Sequence, residues 1–158
     1  MEYTLGKSKI IQDLRSIVGE KYILTTEWSK QRYCKGWRYG EGDALAVAKP
    51  GTLLEIWKVL QVCVDANIIV IMQAANTGLT GGSTPYGDDY DRPILIISTM
   101  RVDDIHIINE GKQIVGFAGS TLFGLENKLA AYGREPHSVI GSSCIGASIV
   151  GGVCNNSG

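Results

Sequence analysis

The chain has 158 residues and a formal net charge of −1, so it lacks the basic footprint of a nucleic-acid binder. Its hydrophobic content of 44% can fill one core or two small lobes. Its longest apolar runs are strand-length, far short of the roughly 20 residues of a membrane span.

The amino-terminal MEYTLGKSKI has no apolar signal core, so a cytoplasmic location is expected. Cys34, Cys63, Cys144 and Cys154 form no C-x-x-C pair and do not cluster with His106 or His137, which argues against zinc and for reduced thiols. Cys144 and Cys154 lie in glycine-rich sequence, where a small side chain packs well.

Lys7 to Val18 reads as a helix with Ile10, Ile11, Leu14, Ile17 and Val18 on one face, Ser8 as N-cap and Gly19 as the stop. Thr25 to Asp43 is polar and aromatic with no clean period. Its Arg32, Lys35 and Arg38, interleaved with Tyr33, Trp37 and Tyr39, are read as a surface segment anchored by rings rather than as a ligand-stacking patch. Ala44 to Ala48 is a strand, ended by the turn Lys49-Pro50-Gly51. Thr52 and Glu55 form a capping box for a helix reaching about Ala66, with Leu53, Ile56, Trp57, Leu60 and Val64 as its apolar face. The strand Ile68 to Met72 follows, so parallel pairing of the two strands through a right-handed crossover is expected.

That strand feeds a glycine-rich loop, Ala74 to Ser83 (AANTGLTGGS), with small residues where a backbone must come close to a guest. Successive exposed N–H groups there would form a nest for a phosphate or pyrophosphate. A ligand-free hairpin loop is the bland alternative. The loop lacks the P-loop lysine, and no G-x-G-x-x-G follows the strand.

After a polar excursion at Pro85 to Pro93, Ile94 to Ser98 reads as a strand buried on both faces. Val102 to Ile108 and Gln113 to Phe117 read as a hairpin turning at Glu110-Gly111. Gly119-Ser120-Thr121 then opens a helix with Leu122, Leu125, Leu129 and Tyr132 inward, stopped by Gly133. The final stretch, Arg134 to Gly158, is again rich in glycine. Gly141-Ser142-Ser143 reads as a loop entering a short helix near Ile145 to Val150, whose N-terminus would suit an anion. His137 reads as a loop residue rather than an acid–base group. With no closing element after Asn155-Asn156-Ser157-Gly158, the chain is expected to be part of something longer.

The two glycine-rich stretches together resemble the flavin domain of the vanillyl-alcohol-oxidase, or p-cresol-methylhydroxylase (PCMH), type. The first is Ala74 to Ser83. The second follows G-[ST]-x-x-G-x-x-x-x-x-G-G at Gly141-Ser142, Gly146 and Gly151-Gly152. Within that group, MQAANTGLTGGSTPYGDDYDR and GREPHSVIGSSCIGASIVGGVCNNSG are similar to the respiratory, quinone-dependent D-lactate dehydrogenases, over the amino-terminal part of that family's longer chain.

The resemblance implies an α+β, PCMH-type FAD-binding domain of two α/β lobes, truncated here: 1–43 as helix and lead-in, 44–158 as an incomplete flavin domain, and the cap and membrane-contacting domains absent. It implies that Ala74, Ala75, Asn76, Thr77 and Gly78, with Gly82 and Ser83, hold the FAD diphosphate. It also implies that Gly141, Ser148 and Gly158 contact the flavin or ribityl part. Covalent relatives often carry a histidine where this chain has Gly82, so FAD is expected to be non-covalent. The implied activity is oxidation of D-lactate to pyruvate with electrons passed to a membrane quinone. The complete enzyme would sit on the cytoplasmic face of the inner membrane, and this piece alone would be inactive. No catalytic residue is assigned. A flavoenzyme for glycolate or another 2-hydroxy acid and a non-catalytic FAD-binding remnant are the alternatives.

Overall fold

A computed structural model of the chain describes residues 2–137 and 140–157. The first lobe begins with helix α1 (Glu2–Val18), strand β1 (Ile23–Leu24), helix α2 (Glu27–Cys34), strand β2 (Ala46–Ala48), helix α3 (Leu53–Asp65), strand β3 (Ile69–Gln73) and strand β4 (Ile94–Ser98). The second holds the hairpin β5 (Ile105–Ile108) and β6 (Gln113–Gly116), helix α4 (Leu122–Ala130) and helix α5 (Ile149–Cys154).

The first lobe is a four-stranded sheet in the order β1-β2-β4-β3. Strand β4 is the centre because every residue from Ile94 to Ser98 is buried. Its alternate side chains serve two cores, as the period of two in a strand requires. Leu95 and Ile97 pack with Ala46, Ala48, Leu14, Val18, Val59 and Cys63 on the α1 and α3 side. Ile94 and Ile96 pack with Val47, Tyr33 and Cys34 on the α2 side. Each such buried aliphatic side chain is worth roughly 1.5–3 kcal/mol. Strands β2 and β3 are parallel, as expected, but they do not touch. Each pairs with β4, which comes later in the chain and inserts between them. Strand β3 is therefore an edge strand, with Met72 45% exposed, and not a fully buried one.

Several local readings are corrected. Helix α1 begins at Glu2, so Ser8 lies inside it and caps nothing, while Gly19 ends it at φ 89°. The segment after Thr25 holds a helix, α2, capped by Thr26 Oγ1 accepting from the Ser29 N–H. Helix α3 packs through Val59 and Cys63, whereas Leu53, Trp57 and Val64 are exposed. Its capping box is displaced by one residue: Thr52 Oγ1 accepts from the Glu55 N–H, but Glu55 reaches back to the Gly51 N–H at 2.6 Å. The short helix near the end is a 3-10 turn, Ser143–Ile145, followed by α5 from Ile149. Cys144 and Cys154 are exposed rather than packed.

The second lobe has a small core of Ile105, Leu125 and Leu129, with Ile107, Ile114 and Ile149 against it; Tyr132 is 49% exposed and outside it. The lobes join at the end of β4. Gly119 donates to Val102 O at 2.8 Å, and a Cβ on Gly119 would overlap the Thr99 carbonyl oxygen, so only glycine permits this approach. Among the described residues no helix is long and apolar enough to cross a membrane.

Candidate functional site

Parallel strands β3 and β4 end side by side, with Gln73 opposite Ser98. The crevice outside the carboxyl ends of parallel strands is where α/β sheets admit ligands. Here it opens into a cleft of about 950 Å³ between the loop after β3, Thr99 and Ala118 at the lobe junction, and the 140–157 segment. That volume is at the upper end of small-molecule sites, suited to a ligand of dinucleotide size.

Of the sequence-predicted residues, Ala74, Ala75, Asn76, Thr77, Gly78, Ser83, Gly141 and Ser148 line this cleft. The fold thus brings together two stretches more than 50 residues apart in sequence. Gly82 is exposed and is not among the residues that line it. Gly158 lies outside the described residues. His137 does not line the cleft either.

The loop is held from behind, which leaves its front free. Gln73, only 2% exposed, donates from Nε2 to Tyr33 O at 2.9 Å and to Ser83 O at 2.7 Å. Asn76 sits at φ 55°, a conformation asparagine tolerates better than most residues. Its Nδ2 donates to Lys35 O at 2.8 Å, and its Oδ1 accepts from Ser83 Oγ at 2.9 Å. Asn76 and Ser83 therefore spend their side chains on shaping the loop. Among the described residues, no backbone N–H from Ala74 to Ser83 donates to a protein acceptor. Ala74 to Thr77 are half-buried and Gly78 to Thr80 exposed, so these N–H groups are left to solvent or to a ligand.

The glycines sort into two kinds. Gly40 (φ 87°) and Gly81 (φ 77°) are required by the fold. A Cβ on Gly40 would overlap Thr84 Oγ1, and one on Gly81 would lie 3.1 Å from Tyr39 O. Gly78, Gly141 and Gly152 are different. None has a positive φ, and a Cβ on any of them would meet no protein atom within 4 Å. All three line the cleft. At these three cleft-lining positions the fold itself does not demand a glycine.

Ser148 is 5% exposed and caps α5, its Oγ accepting from the Gly151 N–H at 3.1 Å. It is fixed in place by Ile149 N donating to Ser120 O and Leu122 N donating to Ala147 O. Helix α5 has six residues and one of its first donors is already used, so the anion site expected at a helix N-terminus here is not formed by α5. No acidic or basic side chain lines the cleft among the described residues. An anion there would be met by backbone N–H groups and neutral side-chain donors such as Thr77 and Thr80.

Sequence reasoning missed several residues of this site, Gln73 and Trp37 among them, together with Thr99 and Ala118 at the lobe junction. Gln73 was assignable only from its place at the end of an apolar strand. Trp37 lines the cleft and is 64% exposed, although its segment read as surface anchored by rings; of those rings only Tyr33 is buried. A second, smaller hollow of about 300 Å³ lies between α2 and residues 41–43. Its Lys30 ammonium is already committed to Asp43 Oδ1 at 2.6 Å, Ala44 O at 2.6 Å and Glu27 Oε1 at 3.1 Å. Burial alone would lower that lysine's pKa; the two carboxylates outweigh it and hold it above its ordinary value. In the same region burial pushes the Cys34 thiol up, and in the α3 core it pushes Cys63 up to about 11, so neither is a ready nucleophile.

The family described as FAD binding domain matches residues 44–158. A quinone-dependent D-lactate dehydrogenase of Haemophilus influenzae is 59% identical over 98% of this chain, and one of Escherichia coli K12 is 56% identical over 98%. The chain spans 27% of the length of each. Among solved structures, p-cresol methylhydroxylase with substrate bound superposes with a TM-score of 0.76 at 18% identity, covering 94% of this chain and 29% of that one. At that identity the likeness establishes the fold, which is α+β and of the PCMH type.

Proposed function

We propose that this chain, which belongs to the FAD binding domain family, holds FAD in the cleft and forms the flavin-binding part of a D-lactate dehydrogenase that passes electrons to a quinone. The observation that carries the cofactor reading is the unpartnered N–H run from Ala74 to Ser83, in a loop that lines the same cleft as Gly141, Gly151 and Gly152. That donor set suits a diphosphate, which needs many N–H groups and close backbone approach. Hydrogen bonds from N–H to a charged oxygen contribute roughly 1.5–3 kcal/mol each.

In this reading the N–H groups of Ala74, Ala75, Asn76, Thr77 and Gly78 bind the diphosphate, with Ser83 closing the loop behind them. Gly82, exposed in the loop, is proposed to complete it around the diphosphate with Ser83. Gly141 and Ser148 border the flavin and ribityl part from the second lobe, and Gly158 is proposed to join them. FAD supplies acceptance of two electrons in the oxidation of D-lactate to pyruvate. The chain's own residues bind it, orient it and keep water from its buried face. Non-covalent FAD goes with this reading, because Gly82 stands where covalent relatives often carry a histidine.

The substrate and quinone are carried by the likeness to the two dehydrogenases, and a peripheral place on the cytoplasmic face of the membrane goes with that reading. The test is to express the whole open reading frame that contains this chain and to follow a quinone analogue with D-lactate, L-lactate and glycolate. D-lactate should drive reduction and release flavin intact on denaturation. Preference for glycolate would favour the related 2-hydroxy-acid reading, and a protein with bound flavin but no activity would favour a non-catalytic domain.

A further inference from the structure

We propose that Trp37 is a stacking residue of the cofactor site: its indole covers a flat heteroaromatic ring of the dinucleotide beside the diphosphate loop. The proposal rests on the FAD reading above. Trp37 is 64% exposed, and among the described residues no ring or cation packs against it. A large exposed ring is ordinary on a surface, but this one lines the cleft that also holds the unpartnered donors of Asn76 to Thr80.

The loop that carries Trp37 is built to hold it still. Lys35 and Glu41 close its neck by a backbone bridge and a 3.3 Å ion pair. Inside it, Gly36 N donates to Gly40 O at 2.7 Å, and a Cβ on Gly36 would overlap the Tyr39 carbonyl oxygen. The loop is then fastened directly to the diphosphate loop. Asn76 Nδ2 donates to Lys35 O and Gly81 lies against the Tyr39 carbonyl, while Gly87, beyond that loop, donates from its N–H to Glu41 O at 2.9 Å. Thus Gly36, Gly40 and Gly81 around Trp37 have no room for, or no conformation suited to, another side chain, and among the described residues no ring or cation stacks on the largely exposed indole they position. Rigid presentation of an unpacked aromatic beside an anion nest is what a nucleotide site requires, because stacking adds to the hold on the phosphate. Trp28 and Trp57 are comparably exposed but do not line this cleft, and they serve as internal controls.

Two rings could fill this role, adenine or isoalloxazine, and separate ligands tell them apart. The experiment is a titration of the 15N-labelled chain with FAD, ADP and FMN, following the three indole N–H resonances and the backbone amides together. Trp37 should move upfield with FAD and with whichever of ADP or FMN carries the stacked ring, while Trp28 and Trp57 stay. Trp37→Ala should weaken FAD roughly ten- to a hundredfold, and Trp37→Phe should recover most of that loss. FAD binding with shifts at Ala74 to Ser83, an unmoved Trp37 indole and unchanged affinity in Trp37→Ala would overturn this inference and leave the FAD reading standing. Absence of any saturable FAD binding would overturn both. Should Trp37→Ala lose the folded amide spectrum, the wild-type indole shift and Trp37→Phe still decide.

Discussion

Substituting glycines one at a time separates those that build the fold from those that make room for a ligand. Gly78→Ala places a methyl group where nothing lies within 4 Å, at a residue without positive φ. The folded state loses nothing, and the unfolded chain loses freedom, so stability should rise by about 0.4–1 kcal/mol. For a chain of this length that is at most a few degrees in Tm. FAD affinity should move the other way. The methyl stands between the N–H run and the diphosphate, and losing one charge-assisted hydrogen bond costs about 1.5–3 kcal/mol. That corresponds to roughly ten- to a hundredfold weaker binding. Gly40→Ala should show the reverse pattern in stability. Positive φ costs an alanine about 1–2 kcal/mol, and the overlap with Thr84 Oγ1 about 1–3 kcal/mol more. Its Tm should fall by on the order of 10 °C. Thermal melts and flavin-polarisation titrations of both variants check this. A Gly78→Ala protein that melts with the wild type or above it yet binds FAD equally well would refute the assignment of Gly78 to the cofactor. A Gly40→Ala protein of unchanged Tm would refute the sorting itself.

Other consequences follow from the same geometry. Gln73→Leu keeps the volume but strips two carbonyls of their donor, so it should cost about 1–3 kcal/mol in denaturant melts and weaken FAD through a loosened loop. Ile96→Ala, at a position with no solvent exposure in the central strand, should cost about 2–5 kcal/mol while leaving the cleft residues unchanged. Lys30 gives a pH signature. Its folded pKa is raised, so its contribution is complete below the ordinary lysine value of about 10.4 and is lost as pH rises through the folded value. Lys30→Met should be less stable at neutral pH, and the gap to wild type should narrow above about pH 10; parallel stability curves would contradict the pairing with Asp43 and Glu27.

Elements whose burial matches a single period could be read from the sequence. Strand β4 was legible because an unbroken apolar run has one explanation in an α/β core, and α4 because Leu125 and Leu129 fall on one face. Helix α2 was hidden because its pattern is inverted: Lys30 is buried at 4% while Trp28 is 87% exposed. Of the ion pairs that permit this, one comes from Glu27 in the first turn and the other from Asp43, beyond the helix. Helix α3 is apolar nearly all round, so periodicity could not choose the face that Val59 and Cys63 define. Strand order was not legible either, since the strand separating β2 from β3 arrives after both. The glycine-rich loops were recognisable from composition and resemblance. Which glycines serve the fold and which open the cleft depends on Thr84, Tyr39 and Thr99, contacts that exist only in three dimensions.

The central claim is that the backbone of Ala74 to Ser83 is the seat of the FAD diphosphate. Backbone amide shifts of the 15N-labelled chain during an FAD titration test it most directly. The account predicts saturable shifts concentrated at Ala74, Ala75, Asn76, Thr77, Gly78 and Ser83, with a second group at Gly141 and Ser148 and none around Glu27 to Gln31. Shifts centred on the α2 hollow, or no saturable shift at millimolar FAD with the chain folded, would contradict it.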